Sequence, residues 1–313
     1  MIDALVLFDL VLALAIIGIA VGVLILRDAF AMIVCFVIFG LLSALAWVRL
    51  AAPDVALAEA AIGTGVTGAL LLKTLAHLRG RTLSPPLRVK GGLVVNAALC
   101  ALVTLAGIGV FLATPIGGAG LEGLVAQNLA ASGVAHPVTA VLLNFRAFDT
   151  LMEVVVLLVA VVAVWSMERG IARAPAPVMG EVYAGFARLV LPAAVIVGAY
   201  LLWIGAIAPG GAFQGGAVLA AVGLMLLITR AYTPLPAHRG AARIVFVIGT
   251  ALFAAVALFV AQGGRATFEY PAAHAKSLIL IIEAVVTISI AATLAALFHG
   301  REPVAVSVRE TRA

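Results

Sequence analysis

Residues 53–73 read PDVALAEAAIGTGVTGALLLK, and the reading of this stretch decides the fold. It is an apolar run long enough to cross a bilayer as a helix, with a carboxylate, Glu59, a short way in and an ammonium, Lys73, near the far end. Pro53 suits the first helical position. Asp54 falls in the first turn, where a negative charge meets the positive end of the helix dipole. A charge in lipid costs several kcal/mol, so it is rarely there without a partner, a cavity or a task. Glu59 and Lys73 are 14 positions apart. At about 100° per residue they share a face to within about 40°, roughly 21 Å apart along the axis and too far to touch. Gly63 and Gly65 lie between them and leave room for a neighbouring helix or for water. The expectation is a helix that handles protons or cations. The plainer alternative is a buried carboxylate that holds helices together.

Working outward, the rest of the chain supports a membrane reading. Of 313 residues 65% are hydrophobic and only 11% charged, which no soluble domain matches. In lipid every backbone group must be satisfied within the protein, so an all-α polytopic helix bundle is expected. Nine spans are predicted, at about 4–26, 29–50, 54–77, 92–113, 150–167, 187–207, 211–230, 243–261 and 275–298. Breaks fall at Arg27-Asp28, Pro53, RGRTLSPPLRVK (79–90), ERGIARAPAPVMGE (168–181) and TPLPAHRGAAR (233–243). No Lys or Arg precedes Arg27, and the first apolar run exceeds twenty residues, which favours a first span over a cleaved signal peptide.

Charge sets the expected orientation. With the basic 79–90 loop in the cytoplasm, the N-terminus lies outside and the C-terminus inside, and 15 of the 19 Lys and Arg residues fall inside. The net charge of +5 thus reflects cytoplasmic loops and implies no nucleic-acid partner. Trp47, Trp165 and Trp203 fall at span ends, as interfacial aromatics should. Cys35 and Cys100 lie in apolar runs and read as small core residues, not a disulfide or metal pair.

Four further features carry candidate chemistry. NFRAFDTLMEVVVLLVA (144–160) places Arg146, Asp149 and Glu153 on one face if the helix extends back that far, and Asp149 can serve as an N-cap. It reads either as the charged mouth of an ion path or as a capped helix start. APGGAFQGGAV (208–218), with Pro209, Gly210, Gly211, Gly215 and Gly216, precedes an apolar run too short to span alone. That points to a broken helix or a re-entrant turn, the alternative being a Gly-rich outer turn between close helices. Glu283 stands alone in SLILIIEAVVTISIAATL (277–294), either as a proton-carrying site or as a hydrogen-bonded structural group. LEGLVAQNLAA (121–131) puts Leu121, Leu124, Val125 and Leu129 on one face, fitting either a short interfacial helix or an ordinary loop with a helical turn. A GxxxG pair at Gly18 and Gly22 is a weak packing signal. His77, His238, His274 and His299 are scattered at span ends without metal-ligand spacing, and no hydrolytic signature, phosphate loop or CxxC occurs. No metal, cofactor or stand-alone enzymatic activity is therefore expected.

Taken together, these stretches resemble the Mrp-type multisubunit cation/proton antiporters and the related membrane-bound hydrogenases. PDVALAEAAIGTG (53–65) is similar to the hydrogenase's small D subunit, which matches the C-terminal region of the antiporter's large A subunit. VTAVLLNFRAFDTLMEVVVLLVA (138–160) resembles the neighbouring E-subunit segment. APGGAFQGGAV with Glu283 resembles the antiporter's B subunit, although Ala212 stands where a third glycine is usual. The resemblance implies three fused modules, about 1–112, 113–180 and 181–300, with a cytoplasmic tail at 301–313. It also implies a multi-pass protein of the cell membrane that works beside large antiporter-like subunits and lines a sodium or proton route. Glu59 and Glu153 would be the family's acidic intramembrane groups, with Lys73 a candidate partner. The alternatives are a membrane-arm subunit of a complex-I-like redox assembly, such as a hydrogenase, and a scaffold subunit that conducts nothing.

Overall fold

The computed structural model describes residues 4–78, 92–114, 120–167, 181–229 and 239–300. The described residues are helical wherever they form regular structure. Among the described residues eight helices are long and apolar enough to cross a membrane, and the ninth apolar run forms a shorter helix. The chain is thus a polytopic helical membrane protein. The basic loop 79–90, the breaks at 168–180 and 230–238, His238 and the tail 301–313 lie outside the described residues, as does the side chain of His77.

Helices α1 (Ala4–Ile25) and α2 (Ala29–Arg49) form an antiparallel hairpin. Asp28 caps α2 by accepting from Ala31 N–H at 2.8 Å, as the Arg27-Asp28 break suggests. Arg49, at the end of α2, is paired with Asp9 of α1. The guanidinium donates to both carboxylate oxygens, at 2.7 and 2.9 Å.

The decisive stretch is one continuous helix with a changed middle. It runs as α3 (Pro53–Ala58), a π-helix over Glu59–Val66, and α4 (Thr67–Leu78). The π-helix bonds each N–H five residues back, so its turn is wider, and a register counted at about 100° per residue does not carry across it. Gly63 does not receive a neighbouring helix, because a Cβ there would lie 2.8 Å from Glu59 Oε1. The close approach comes instead from Gly40 of α2, whose bare α-carbon lies against Thr64 and Glu59.

Helix α5 (Gly92–Ala113) follows, and none of its spanning window is buried within the chain. Cys100 sits on it and is exposed, while Cys35 is partly buried, so the expected core role fails for Cys100. A Cβ at Gly18 or Gly22 would likewise meet nothing within 4 Å, so among the described residues GxxxG joins no helices. The 121–131 stretch folds as α6 (Glu122–Asn128) with a 3-10 turn over Leu129–Ser132. It leaves Leu121 67% and Leu124 58% exposed.

Helix α7 (Pro137–Ala140) runs into a second π-turn, Val141–Phe145, and α8 (Ala147–Met167) begins after Arg146. The last four helices are α9 (Glu181–Ile204), α10 (Ala212–Thr229), α11 (Arg239–Gln262) and α12 (Ala275–His299). Helix α12 is the centre of the bundle and packs on α8, α9, α10 and α11. Its Ile279, Ile282 and Ile290 are fully buried beside Phe253 of α11. Two glycines let α10 approach its neighbours closely: Gly215 meets the backbone of α9 at Gly198, and Gly216 meets Ile290 of α12.

Candidate ion site

The membrane-embedded carboxylates are placed by the elements just described. Glu59 opens the π-helix and folds its carboxylate over Gly63, facing α2. Beside it, the hydroxyl of Thr64 is buried, 2% exposed, with no hydrogen-bond partner. Residues with unused polar capacity at a π-segment are a frequent feature of functional helices.

Lys73 lies at the opposite end of this long helix. Its ammonium donates to the carbonyls of Phe298 and His299, the latter at 3.1 Å, and sits 4.5 Å over the Phe298 ring. It therefore caps the C-terminus of α12, where a cation suits the helix dipole. Between the two ends, small side chains including Ala60, Gly65, Ala69, Ala217 and Ala220 line an apolar cavity of about 290 Å³. The cavity lies between the Glu59-bearing helix, α10 and α12.

The Arg146 group is built differently from its reading as a capped helix start. Helix α8 begins at Ala147, so Asp149 sits inside its first turn rather than at the N-cap. Asp149 accepts from Arg146 Nη2 at 2.5 Å, with side chains 47% and 66% exposed. Thr150 turns inward and donates to Leu142 O at 2.6 Å, which closes the π-turn. Glu153 is exposed like Asp149, so all three charges face away from this chain's own core.

Asp54 gathers three hydrogen bonds from distant parts of the chain, which no local sequence pattern announces. Asp54 is 8% exposed. One carboxylate oxygen accepts from the backbone N–H of Gly210 at 3.1 Å, and the other bonds His136 Nε2 at 2.9 Å. Its backbone carbonyl accepts from Gln214 Nε2 at 3.3 Å. Next to this knot, the N–H groups of Ala135 and His136 both donate to Ala206 O, at 2.9 and 3.1 Å, and Thr139 Oγ1 donates to Gly205 O at 2.5 Å. The Gly-rich turn is thus stitched to residues 54 and 135–139, and Gly211 N–H closes it onto Leu201 O at 2.8 Å. The turn requires glycine: Gly211 has φ +116°, and a Cβ on Gly210 would lie 2.5 Å from Leu201 O.

Glu283 lies just inside this turn on α12. It is 2% exposed, and its Oε2 is buried without a hydrogen-bond partner. The sequence signal for these residues was present but spread out. His136 precedes Pro137 in a long segment between spans, and Gln214 is the one polar side chain in the Gly-rich stretch.

A family model described as the D subunit of MBH matches residues 14–80. A second, a domain related to the MnhB subunit of Na+/H+ antiporter, matches residues 182–304. The A subunit of the Na(+)/H(+) antiporter of Bacillus subtilis (strain 168) is 29% identical over 169 residues, which cover 51% of this chain and 20% of that protein. The chain thus spans about a fifth of the curated relative it matches. A chain of the Mrp complex from Dietzia sp. DQ12-45-1b superposes with TM-score 0.73 at 22% identity, over 96% of this chain and 35% of its own length. A chain of an archaeal respiratory complex, the membrane-bound sulfane sulfur reductase, superposes with TM-score 0.52 at 24% identity, over 65% of this chain and 97% of its own length. These two likenesses are of fold. The chain thus carries a region similar to the D subunit of MBH followed by one similar to the MnhB subunit of Na+/H+ antiporter, and about half of it is similar to part of an antiporter A subunit.

Proposed function

We propose that the chain is a membrane subunit of a multisubunit monovalent cation/proton antiporter, and that it contributes intramembrane carboxylates to the ion path. The observation that carries this reading is the pair Glu59 and Glu283. Each is a carboxylate inside a spanning helix, and each lies beside a polar group or an oxygen with no partner of its own. Lys73, Asp149 and Arg146 belong to the same path as its charged margins. Glu153 faces outward from this chain, and a charge facing lipid is costly, so it faces a partner subunit. The wholly exposed α5 is a second surface for such a partner. The regions 1–112, 113–180 and 181–300 act as three modules that meet at Asp54, His136 and the Gly210 turn. The chain is a transport subunit rather than an enzyme.

The alternative is the membrane arm of a complex-I-like redox assembly, favoured by the fold likeness to the sulfane sulfur reductase chain. A scaffold role is the third reading. The test is affinity purification followed by reconstitution. Antiporter-like subunits should co-purify, and vesicles holding the complex should show cation-dependent proton flux. Vesicles holding this chain alone should show none. Co-purifying redox subunits, or flux from the chain alone, would overturn the reading.

The N-terminus outside and the C-terminus inside follow from the basic residues. A cysteine introduced at residue 122 or 124 should therefore react with an impermeant thiol reagent added to intact cells. Labelling only after lysis reverses the topology.

A further inference from the structure

We propose that the Glu283 carboxylate and the Gln214 side-chain oxygen, facing each other over the bare α-carbon of Gly211, form a binding site for a small dehydrated monovalent cation. The inference rests on the ion-handling role proposed above and gives it a place and a set of ligands.

The geometry is specific. A Cβ built on Gly211 would lie 3.2 Å from Glu283 Oε1 and 3.7 Å from Gln214 Oε1. Both oxygens therefore converge on the space that glycine leaves empty. Gln214 is 8% exposed and its amide nitrogen is committed to Asp54 O at 3.3 Å. That bond turns its oxygen, not its nitrogen, towards Gly211 and Glu283. The nearest hydroxyl on the helix, Thr287 Oγ1, donates to the backbone carbonyl of Glu283 at 2.7 Å. The imidazole of His136 is held by Asp54. The other oxygen of the same carboxylate, Glu283 Oε2, is buried with no hydrogen-bond partner.

Buried acceptors without a donor carry an unrecovered desolvation cost. A small cation removes that cost, since hard cations take oxygen ligands and amide or carbonyl oxygens can replace their water shell. The cation also offsets the carboxylate charge, which would otherwise be costly at this depth. The positive-φ glycine is then a requirement of the site as well as of the turn. Any side chain at 211 would occupy the position of the ion.

Sodium-22 binding to the purified complex, by equilibrium dialysis at low ionic strength, tests this. Glu283→Gln should remove one bound sodium per complex while the complex stays assembled. Glu283→Asp should keep the ion at weaker affinity. Gln214→Leu should weaken binding about tenfold or more, the loss of one good ligand. If Glu283→Gln does not assemble, Gln214→Leu decides by itself: unchanged sodium affinity there overturns the proposal. Unchanged stoichiometry and affinity in Glu283→Gln also overturns it. Binding is read without transport, so the two proposals separate. A Glu59→Gln complex that has lost flux but keeps this sodium leaves the site standing. A wild-type complex that transports normally, with sodium binding unaffected by either variant, removes the site and leaves the proposed function intact.

Discussion

Glu59→Gln leaves the complex assembled and lowers cation-dependent proton flux by roughly 100-fold or more, the scale lost when a positioned proton-transfer group is removed. The expectation comes from where the carboxylate lies. It folds over Gly63 and faces Gly40 of α2, in a space that an isosteric amide fills equally well. Glutamine keeps the shape and most of the hydrogen-bonding capacity but cannot ionise. Assembly should therefore survive and charge cycling should not. Glu59→Asp should retain part of the flux, because a carboxylate remains about one methylene out of place. A scaffold role predicts the reverse order, since a neutral amide costs less to bury than a charge. The measurement is proton flux in vesicles carrying the whole complex, with subunit content checked on the same vesicles. Full flux in Glu59→Gln takes Glu59 out of the path and leaves Glu283 and Glu153 as the carboxylates to test.

Gly215→Val should abolish assembly. A Cβ at 215 would sit 2.8 Å from Gly198 O and 3.4 Å from Leu202 N, both backbone atoms of α9. Backbone atoms cannot rotate aside, so α9 and α10 must separate, at a cost of about 3 kcal/mol or more. Gly216→Val meets a different neighbour, the β-branched Ile290 of α12, with Cγ2 at 2.8 Å and Cβ at 3.0 Å. That side chain is fully buried and stiff at χ1, so little yields there either. Gly18→Val and Gly22→Val are the internal comparison, because nothing lies within 4 Å of a Cβ at either position. The assembled complex, measured on native gels, should vanish for 215 and 216 and persist for 18 and 22. Normal yield from both Gly215→Val and Gly216→Val would mean that α10 does not pack as described.

The membrane class and the span positions were legible because long apolar runs and the cost of unsatisfied backbone leave few alternatives. The short α10 was legible for the same reason, since its run was too brief to span. The changed middle of the 53–78 helix was not. A π-segment has no residue signature of its own, and Gly63 and Gly65 within it read equally well as a packing face. The carboxylates stood out because charge in lipid is conspicuous. Their partners did not, because His136 lies 82 residues from Asp54, and Gln214 lies 160 residues from it. Contacts at such separations leave no local pattern. Asp54 itself was visible only as a helix-dipole residue, since nothing near it in sequence hints at three bonds from elsewhere.

The bonds around Asp54 also bear on how such a chain could be encoded. They join residue 54, residues 135–139 and residues 205–214 through the side chains of Asp54, His136, Thr139 and Gln214 together with backbone carbonyls and N–H groups. A seam of this kind asks little of the intervening peptide except that it keep the pieces near each other. Joining them in one reading frame substitutes effective concentration, on the order of millimolar for a short connection, for intrinsic affinity. A gene split between the two matched regions would keep every bond in the seam and give up only that concentration. Fission and fusion of the reading frame are therefore close to neutral changes for this architecture, with the Asp54 knot as the part that both forms must preserve.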